Sequence, residues 1–205
     1  MNKHRQGTLF VISGASGTGK GTVIKELLSN HKNDMFLSVS ATTRLPRTGE
    51  ANGVHYFFKT EDEFKELIEN DGLLEWACFC GNYYGTPRKT VEGMLSRGID
   101  VILEIEIQGA MKIKDKDIGA KFIFILPPSF DELRRRLTER GTETGDVIEK
   151  RLETARDELK FATEYDYIVV NDKVDDAVAQ IENIINAEKC RVHKNLNLIS
   201  EVQKS

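Results

Sequence analysis

Leu9-Phe10-Val11-Ile12-Ser13 runs without a break into Gly14-Ala15-Ser16-Gly17-Thr18-Gly19-Lys20-Gly21-Thr22, and no other stretch narrows the possible folds so sharply. An apolar run that opens into a glycine loop ending in Gly-Lys predicts a buried strand, a tight loop and a helix starting near Lys20. The glycines let backbone N–H groups curl around phosphate oxygens, and the helix points the positive end of its dipole at them. Lys20 then reaches the β- and γ-phosphates as a point charge. The bland alternative, a glycine-rich turn with a chance lysine, does not account for the strand before the loop and the helix after it. One position departs from the usual pattern. Gly21 follows the lysine where Ser or Thr is common, so the hydroxyl for a magnesium ion must come from Thr22 or be replaced by water. Nucleotide binding is the expectation.

At 205 residues the chain has room for one α/β domain with a small inserted subdomain. Its 40% hydrophobic and 30% charged content is ordinary for a globular protein. A net charge of −4 speaks against a nucleic-acid partner, for which a basic balance is the rule. Small anions stay in view because arginines gather locally, at Arg44 and Arg47 and again at Arg134, Arg135, Arg136, Arg140 and Arg151. No apolar run approaches membrane-spanning length, and Met1-Asn2-Lys3-His4-Arg5 does not read as a signal peptide. Cys78, Cys80 and Cys190 are odd in number and poorly spaced for disulfides. Cys190 with His193 falls short of a zinc set, since no second Cys-x-x-Cys is present. A cytoplasmic location without membrane partners is expected; the oligomeric state is not legible.

Apolar runs alternate with helical stretches, the pattern of βαβ units and a mostly parallel sheet. Strands are expected at 8–13, 36–41, 55–58, 73–79, 100–106, 121–126 and 166–170. Thr60 with Glu63 and Ser129 with Glu132 read as capping boxes, and Pro87 after Thr86 as a first-turn proline. The first helix should end near Ser29-Asn30, and another should run over 146–163 after Gly145. The polar stretch from about Asn186, with Leu196, Leu198, Ile199 and Val202, reads either as a surface helix or as a frayed tail. Two long polar connections, 40–58 and 136–151, carry arginines, and connections of that kind are usually functional or disordered.

Between the strands lie Thr42-Thr43-Arg44-Leu45-Pro46-Arg47-Thr48-Gly49-Glu50 and Gly53-Val54-His55-Tyr56-Phe57-Phe58, then Leu74-Glu75-Trp76-Ala77 and Gly81-Asn82-Tyr83-Tyr84-Gly85-Thr86-Pro87. Two arginines three apart with tyrosines nearby make a planar, multi-donor clamp for a phosphate dianion. Either arginine alone would read as a surface ion pair. The strand Val101-Ile102-Leu103-Glu104-Ile105-Glu106 ends in two acids, which would be costly inside a covered parallel sheet but sit well at its ligand-binding C-terminal edge.

Together these segments resemble the guanylate kinase family over about Thr8 to Glu188. The resemblance implies a phosphate-loop core with residues 1–39 and 101–190, a GMP-binding lobe at 40–100, a mobile lid near 136–155 and a tail at 191–205. It implies transfer of a phosphoryl group from ATP to GMP with Mg²⁺. By resemblance, Arg44, Arg47, Tyr56 and Tyr84 hold the GMP phosphate, with Glu50 bracing the arginines. Glu75, Thr86 and Ser40 would read the guanine, because a carboxylate matches guanine's N1–H and amine while adenine presents an acceptor there. Glu104 resembles the acid that orients magnesium through water. Glu106 stands at the second guanine-binding carboxylate, where Asp is commoner. Arg136, Arg140 and Arg151 match the lid arginines, and Asn171 the residue that contacts adenine, although it also reads as a plain turn residue.

Phosphoryl transfer needs positioning and charge stabilisation more than covalent chemistry. The GMP phosphate is ionised at neutral pH, so none of His4, His31, His55 and His193 is needed as a base, and His55 reads as structural. Two other classes compete. A non-catalytic guanylate kinase-like module that binds phosphoproteins would be expected to carry a degraded loop, and this loop is intact. A kinase for another small acceptor would leave Glu75, Thr86 and the Thr-Thr-Arg segment unexplained.

Overall fold

Every residue of the first strand, β1 (Leu9–Ser13), is buried, and its side chains divide by the period of two that a pleated strand imposes. The structure, a computed structural model, describes residues 6–31, 34–79, 81–139 and 145–204. Parallel neighbours β7 (Asp100–Glu104) and β8 (Lys121–Leu126) flank β1, with β2 (Met35–Leu37) and β9 (Tyr167–Val170) outside them. The order is β2-β7-β1-β8-β9. On one face Phe10 and Ile12 meet α1 (Lys20–Asn30) and α7 (Val174–Lys189) through Val23, Ile24, Leu27, Ile181 and Ile185. On the other, Leu9 and Val11 meet α3 (Arg88–Ser96) and α4 (Ile107–Lys114) through Val91, Ala110 and Ile113. Each of the Val, Leu, Ile and Phe side chains among these stabilises the fold by about 1.5–3 kcal/mol on burial.

A second, mixed sheet of four short strands stands beside the C-terminal edge of this core. Its order is β4 (Phe57–Phe58), β3 (Ala41–Thr42), β6 (Asn82–Pro87), β5 (Leu73–Phe79), with β5 at one edge. It is backed by α2 (Glu61–Glu69), which opens with the expected capping box: Glu63 N–H donates to Thr60 Oγ1 at 3.2 Å and Thr60 N–H to Glu63 Oε2 at 2.8 Å. Fully buried Phe64 of α2 stacks on Tyr83 at 5.4 Å and packs with Ala41 and Leu73 into a small separate core.

Two further helices, α5 (Phe130–Glu139) and α6 (Gly145–Leu159), pack together through Leu133, Leu137, Ile148 and Leu152, and this cluster includes Ala15 of the glycine loop. The loop is therefore held from below by the same helices that carry the second group of arginines.

Several sequence expectations shift. The run 36–41 does not form one strand; it divides into β2 and β3, which belong to different sheets, with residues 38–40 crossing between them. The expected strand 55–58 contracts to β4. The strand over 100–106 stops at Glu104 because Glu106 is already the N-cap of α4. β6 went unforeseen, since Asn-Tyr-Tyr-Gly-Thr-Pro has the composition of a turn; pairing with β3 and β5 on both sides makes it a strand. Pro87 closes that strand as the N-cap of α3, one place before the first turn. At Ser129 half the expected box forms: Glu132 N–H donates to Ser129 Oγ at 3.1 Å, while the Glu132 carboxylate pairs with Arg135 and Arg136. The helix over 146–163 ends at Leu159 and continues as a 3₁₀ turn over Lys160–Glu164. The tail folds as a short surface helix, α8 (Leu196–Val202).

Candidate active site

The glycine loop leaves β1 and closes on the N-terminus of α1, where the N-cap is Gly19, with φ 85° and no side chain to cap the helix. The Thr22 and Val23 N–H groups turn back to the Gly19 carbonyl at 3.1 Å, and the positive end of the helix dipole favours an anion at this terminus. Gly19 is required twice over: its φ is left-handed, and a Cβ there would lie 2.5 Å from Asn171 Nδ2. Lys20 Nζ lies back over the loop, donating to the Gly14 carbonyl at 2.5 Å and to that of Ala15 at 3.3 Å.

Three clefts lined by described residues lie at or near this loop. The first, about 270 Å³, lies between the two sheets and is lined by Ser40, Arg44, Arg47, Glu50, Tyr56, Glu75, Tyr84 and Glu106. In it Arg44 donates to Glu50 Oε1 at 2.9 Å while its guanidinium lies 5.3 Å from the centre of the Tyr56 ring. Glu50 Oε2 takes the backbone N–H of Arg47 at 2.7 Å, so this acid braces one arginine by its head and the other by its main chain. The Arg44 guanidinium, followed by the Arg47 N–H, holds the Glu50 carboxyl down to about 2. Tyr56 and Tyr84 meet edge to face at 6.1 Å. Deeper in, Thr86 Oγ1 donates to Glu75 Oε1 at 2.7 Å. Glu75 is only 6% exposed, and burial pushes its carboxyl up against the opposing pull of Thr86, Lys112 and Lys116. Gly109 stands against this group: a Cβ there would sit 2.8 Å from Glu75 Oε2.

The second cleft, about 390 Å³, lies beside the loop and shares Ser40, Tyr56, Glu104 and Glu106 with the first. Lys20 faces it, as does Glu104, whose carboxyl is raised by burial and lowered by Lys20. Two residues the sequence did not single out also line it. Ser38 Oγ is buried without a hydrogen-bond partner. Its alternation with Ser40 was the signal available in the sequence. Glu158, from the end of α6, accepts the backbone N–H of Ser16 at 3.3 Å, and burial raises its carboxyl against the pull of that N–H and of Lys20. His55 lines the cleft as well, with Nδ1 accepting the Ala51 N–H at 3.1 Å, in keeping with a structural role.

The third cleft, about 340 Å³, lies across the loop and is lined by Gly17, Gly19, Thr22, Arg136 and Asn171. Besides Gly17 and Gly19, three of the residues singled out in the sequence lie here. Thr22 opens onto this cleft and not onto the one that holds Glu104. The residue beneath Glu104 is Gly21, whose added Cβ would lie 3.6 Å from Glu104 Oε1, because one helical step turns the next side chain well away. Arg136 does not sit over the central cleft. Glu132 holds its Nε at 2.7 Å, and the carbonyls of Asn171 and Asp172 take its terminal nitrogen at 3.0 and 3.4 Å. Asn171 is a buried tie, donating from Nδ2 to the Thr18 carbonyl at 2.7 Å, with Oδ1 left unpartnered. Arg151, half-buried on α6, is not among the side chains that line the three clefts, and Arg140 lies outside the described residues.

No group of three or more His, Cys, Asp or Glu able to hold a metal occurs among the described residues. The oxygen groups facing the central cleft (Glu104, Glu106, Ser38 and Ser40) suit a hard cation that is bound chiefly through phosphates and water, as Mg²⁺ usually is.

Around this glycine loop, and the neighbouring cleft with its two arginines and buried carboxylate, residues 6–188 match the family model for guanylate kinase. The chain belongs to the guanylate kinase family. It is similar to the guanylate kinase of Caldanaerobacter subterraneus subsp. tengcongensis, with 52% identity over 204 residues, 100% of this chain and 98% of that one. The guanylate kinase of Desulfitobacterium hafniense is 54% identical over 192 residues, 94% of this chain and 96% of the other. The crystal structure of guanylate kinase from Anaplasma phagocytophilum superposes with a TM-score of 0.73 at 35% identity, covering 91% of this chain and 88% of that one. Family membership accords with the α/β architecture of a parallel core and a second lobe.

Proposed function

We propose that this chain moves the terminal phosphoryl group of ATP onto GMP, giving ADP and GDP, by direct in-line transfer. The observation that carries the reading is Glu75, held by buried Thr86, lining the cleft that also holds Arg44, Arg47, Tyr56 and Tyr84. An ionised carboxylate with one oxygen pinned by a hydroxyl leaves the other to accept guanine's N1–H or amine. Adenine would bring an acceptor against it. Buried, directional hydrogen bonding of this kind discriminates by about 10⁴-fold, since the wrong base leaves the site's groups unpaired.

The arginine clamp would orient the acceptor phosphate, its oxygen aimed along the core's edge toward the loop. Lys20 and the N–H groups from Gly14 to Thr22 would hold the donor's phosphates, with Asn171 and Arg136 bordering the side where the adenine would lie. Lys20 would trade its loop carbonyls for phosphate oxygens. Arg140 and Arg151 would act from the lid, about 136–155, whose closure excludes water. Residues 40–100 form the acceptor lobe in this reading, 1–39 and 101–190 the core, and 191–205 the tail. Bound Mg²⁺ would neutralise charge between the β- and γ-phosphates. Glu104, with Glu106 and Ser38 nearby, would orient its water shell. The free thiols of Cys78 and Cys190 support a reducing, cytoplasmic setting. Among the described residues no helix is long and apolar enough to cross a membrane.

The test is ADP formation from Mg-ATP with GMP, AMP, CMP or UMP in turn, with Lys20→Ala as control. Turnover with GMP alone, lost in the control, is expected. GMP binding without turnover would instead favour a binding module, and turnover with another acceptor would remove Glu75 from its assigned role.

A further inference from the structure

Glu75 is gripped from three directions by one segment of the core. Gly109 on α4 has no side chain, and its Cα lies against the carboxylate: a Cβ there would meet Glu75 Oε2 at 2.8 Å. One turn on, Lys112 Nζ donates to the Trp76 carbonyl at 2.5 Å and stands 5.1 Å from the centre of the Trp76 ring. In the turn after the helix, Lys116 Nζ donates to the Leu74 carbonyl at 2.6 Å. The two lysines thus hold the main chain immediately before and after Glu75. They do so at β5, the edge strand of the second sheet, across the boundary between the sheets.

An edge strand has neighbours on one side only, and β5 also carries an irregularity in its pairing with β6 between Leu73 and Trp76, where Glu75 sits. A bulged strand is free to re-aim its side chain. Within the sheet Thr86 holds one oxygen of Glu75, and from outside it the two lysines hold the main chain on either side.

We propose that Lys112 and Lys116 are positioning residues for purine recognition: by clamping β5 on either side of Glu75 they fix where its carboxylate meets the base. This rests on the GMP reading of the cleft. The lysines touch neither the base nor the phosphate; they act through Glu75. Their charge works in the same direction as their geometry. The groups facing Glu75 are Thr86 from β6 and Lys112 and Lys116 from α4 and its turn, with Arg44, Arg47, Glu104 and Glu106 lining the far walls of the cleft. Burial raises the Glu75 carboxyl, and Thr86 and the two lysines lower it. Removing the lysines leaves burial less opposed, so the carboxyl takes up its proton at higher pH.

The experiment compares wild type with Lys112→Met, Lys116→Met, the double variant, and Lys112→Arg with Lys116→Arg. Calorimetric GMP affinity is measured together with kcat and KM for both substrates from pH 5 to 9. Both lysines are largely exposed, so the expected effect is moderate: about fivefold weaker GMP binding in the double variant, with kcat and the KM for ATP within about twofold. The acid limb of kcat/KM for GMP should move to higher pH, and the arginine variants should restore both readings. Unchanged GMP affinity and an unmoved limb would overturn the proposal, as would a joint loss of kcat and ATP binding, which would mark a general folding role. If wild type binds no GMP, it is the functional reading that fails. If wild type binds GMP and the double variant binds it equally well, only the clamp fails.

Discussion

The carboxylate of Glu158 lies 3.3 Å from the backbone nitrogen of Ser16, so an acid from α6 occupies an N–H of the glycine loop. Lys20 lines the same cleft, and Glu106 adds a like charge to it. A carboxylate in this place stands in for an anion, and a donor phosphate must share the ground or displace it. Glu158→Gln removes the competing charge while keeping the shape. ADP binding measured by calorimetry should tighten by about fivefold, on the order of 1 kcal/mol. Unchanged or weaker binding would show that Glu158 supports the loop and does not compete for it.

Glu50 makes a pH prediction with a definite sign. Its carboxyl is held down to about 2, far below an ordinary glutamate, by Arg44 and the Arg47 N–H. A depressed carboxyl contributes its bracing fully above the ordinary glutamate range and loses it only as pH falls through about 2. Glu50 therefore stays ionised throughout any practical assay. Glu50→Gln should raise the KM for GMP by about tenfold, because Arg44 loses its charged partner. The acid limb of kcat/KM should stay where it is in wild type. A limb that moves in the variant would contradict the assignment.

Gly21 sits under Glu104, and a Cβ there would lie 3.6 Å from Oε1, an ordinary contact. Gly21→Ser is accordingly expected to fold, with a helix gain of about 0.5 kcal/mol. Its hydroxyl would enter the cleft where Thr22 does not point. Manganese affinity in the presence of ADP, followed by electron paramagnetic resonance, should rise by about tenfold. No change would mean that the cation lies out of reach of position 21.

Phe64 is fully buried, and its small core with Ala41 and Leu73 is separate from the clusters of the parallel sheet. Phe64→Ala should cost about 3–5 kcal/mol in the second lobe. Because that core is separate, hydrogen exchange should rise in β3, β5 and β6 while β1, β7 and β8 stay protected. Uniform loss of protection would show that the two lobes unfold as one unit.

Much of this architecture could be read along the chain. β1, the glycine loop and α1 announce themselves because an unbroken apolar run, a glycine cluster and a lysine are local signals. The Thr60 and Glu63 box is local too, spanning a single turn. β6 stayed hidden because Asn82 to Pro87 has turn composition and is made a strand by its two neighbours. Ser38 looked like any strand residue until the division of 36–41 between two sheets turned its hydroxyl toward the cleft.

Residue types at short spacing determined the glycine loop, the arginine pair, the acids at and just beyond the end of β7 and membership in an α/β family. Chain folding alone decided which of those groups share a cleft. Thr22 falls on the far side of the loop from Glu104 because helix geometry separates neighbours in sequence. Glu158, 142 residues from Ser16, reaches the loop because α5 and α6 pack beneath Ala15. Side-chain chemistry is written locally, whereas encounter between distant side chains depends on packing, and a single sequence holds no local record of it.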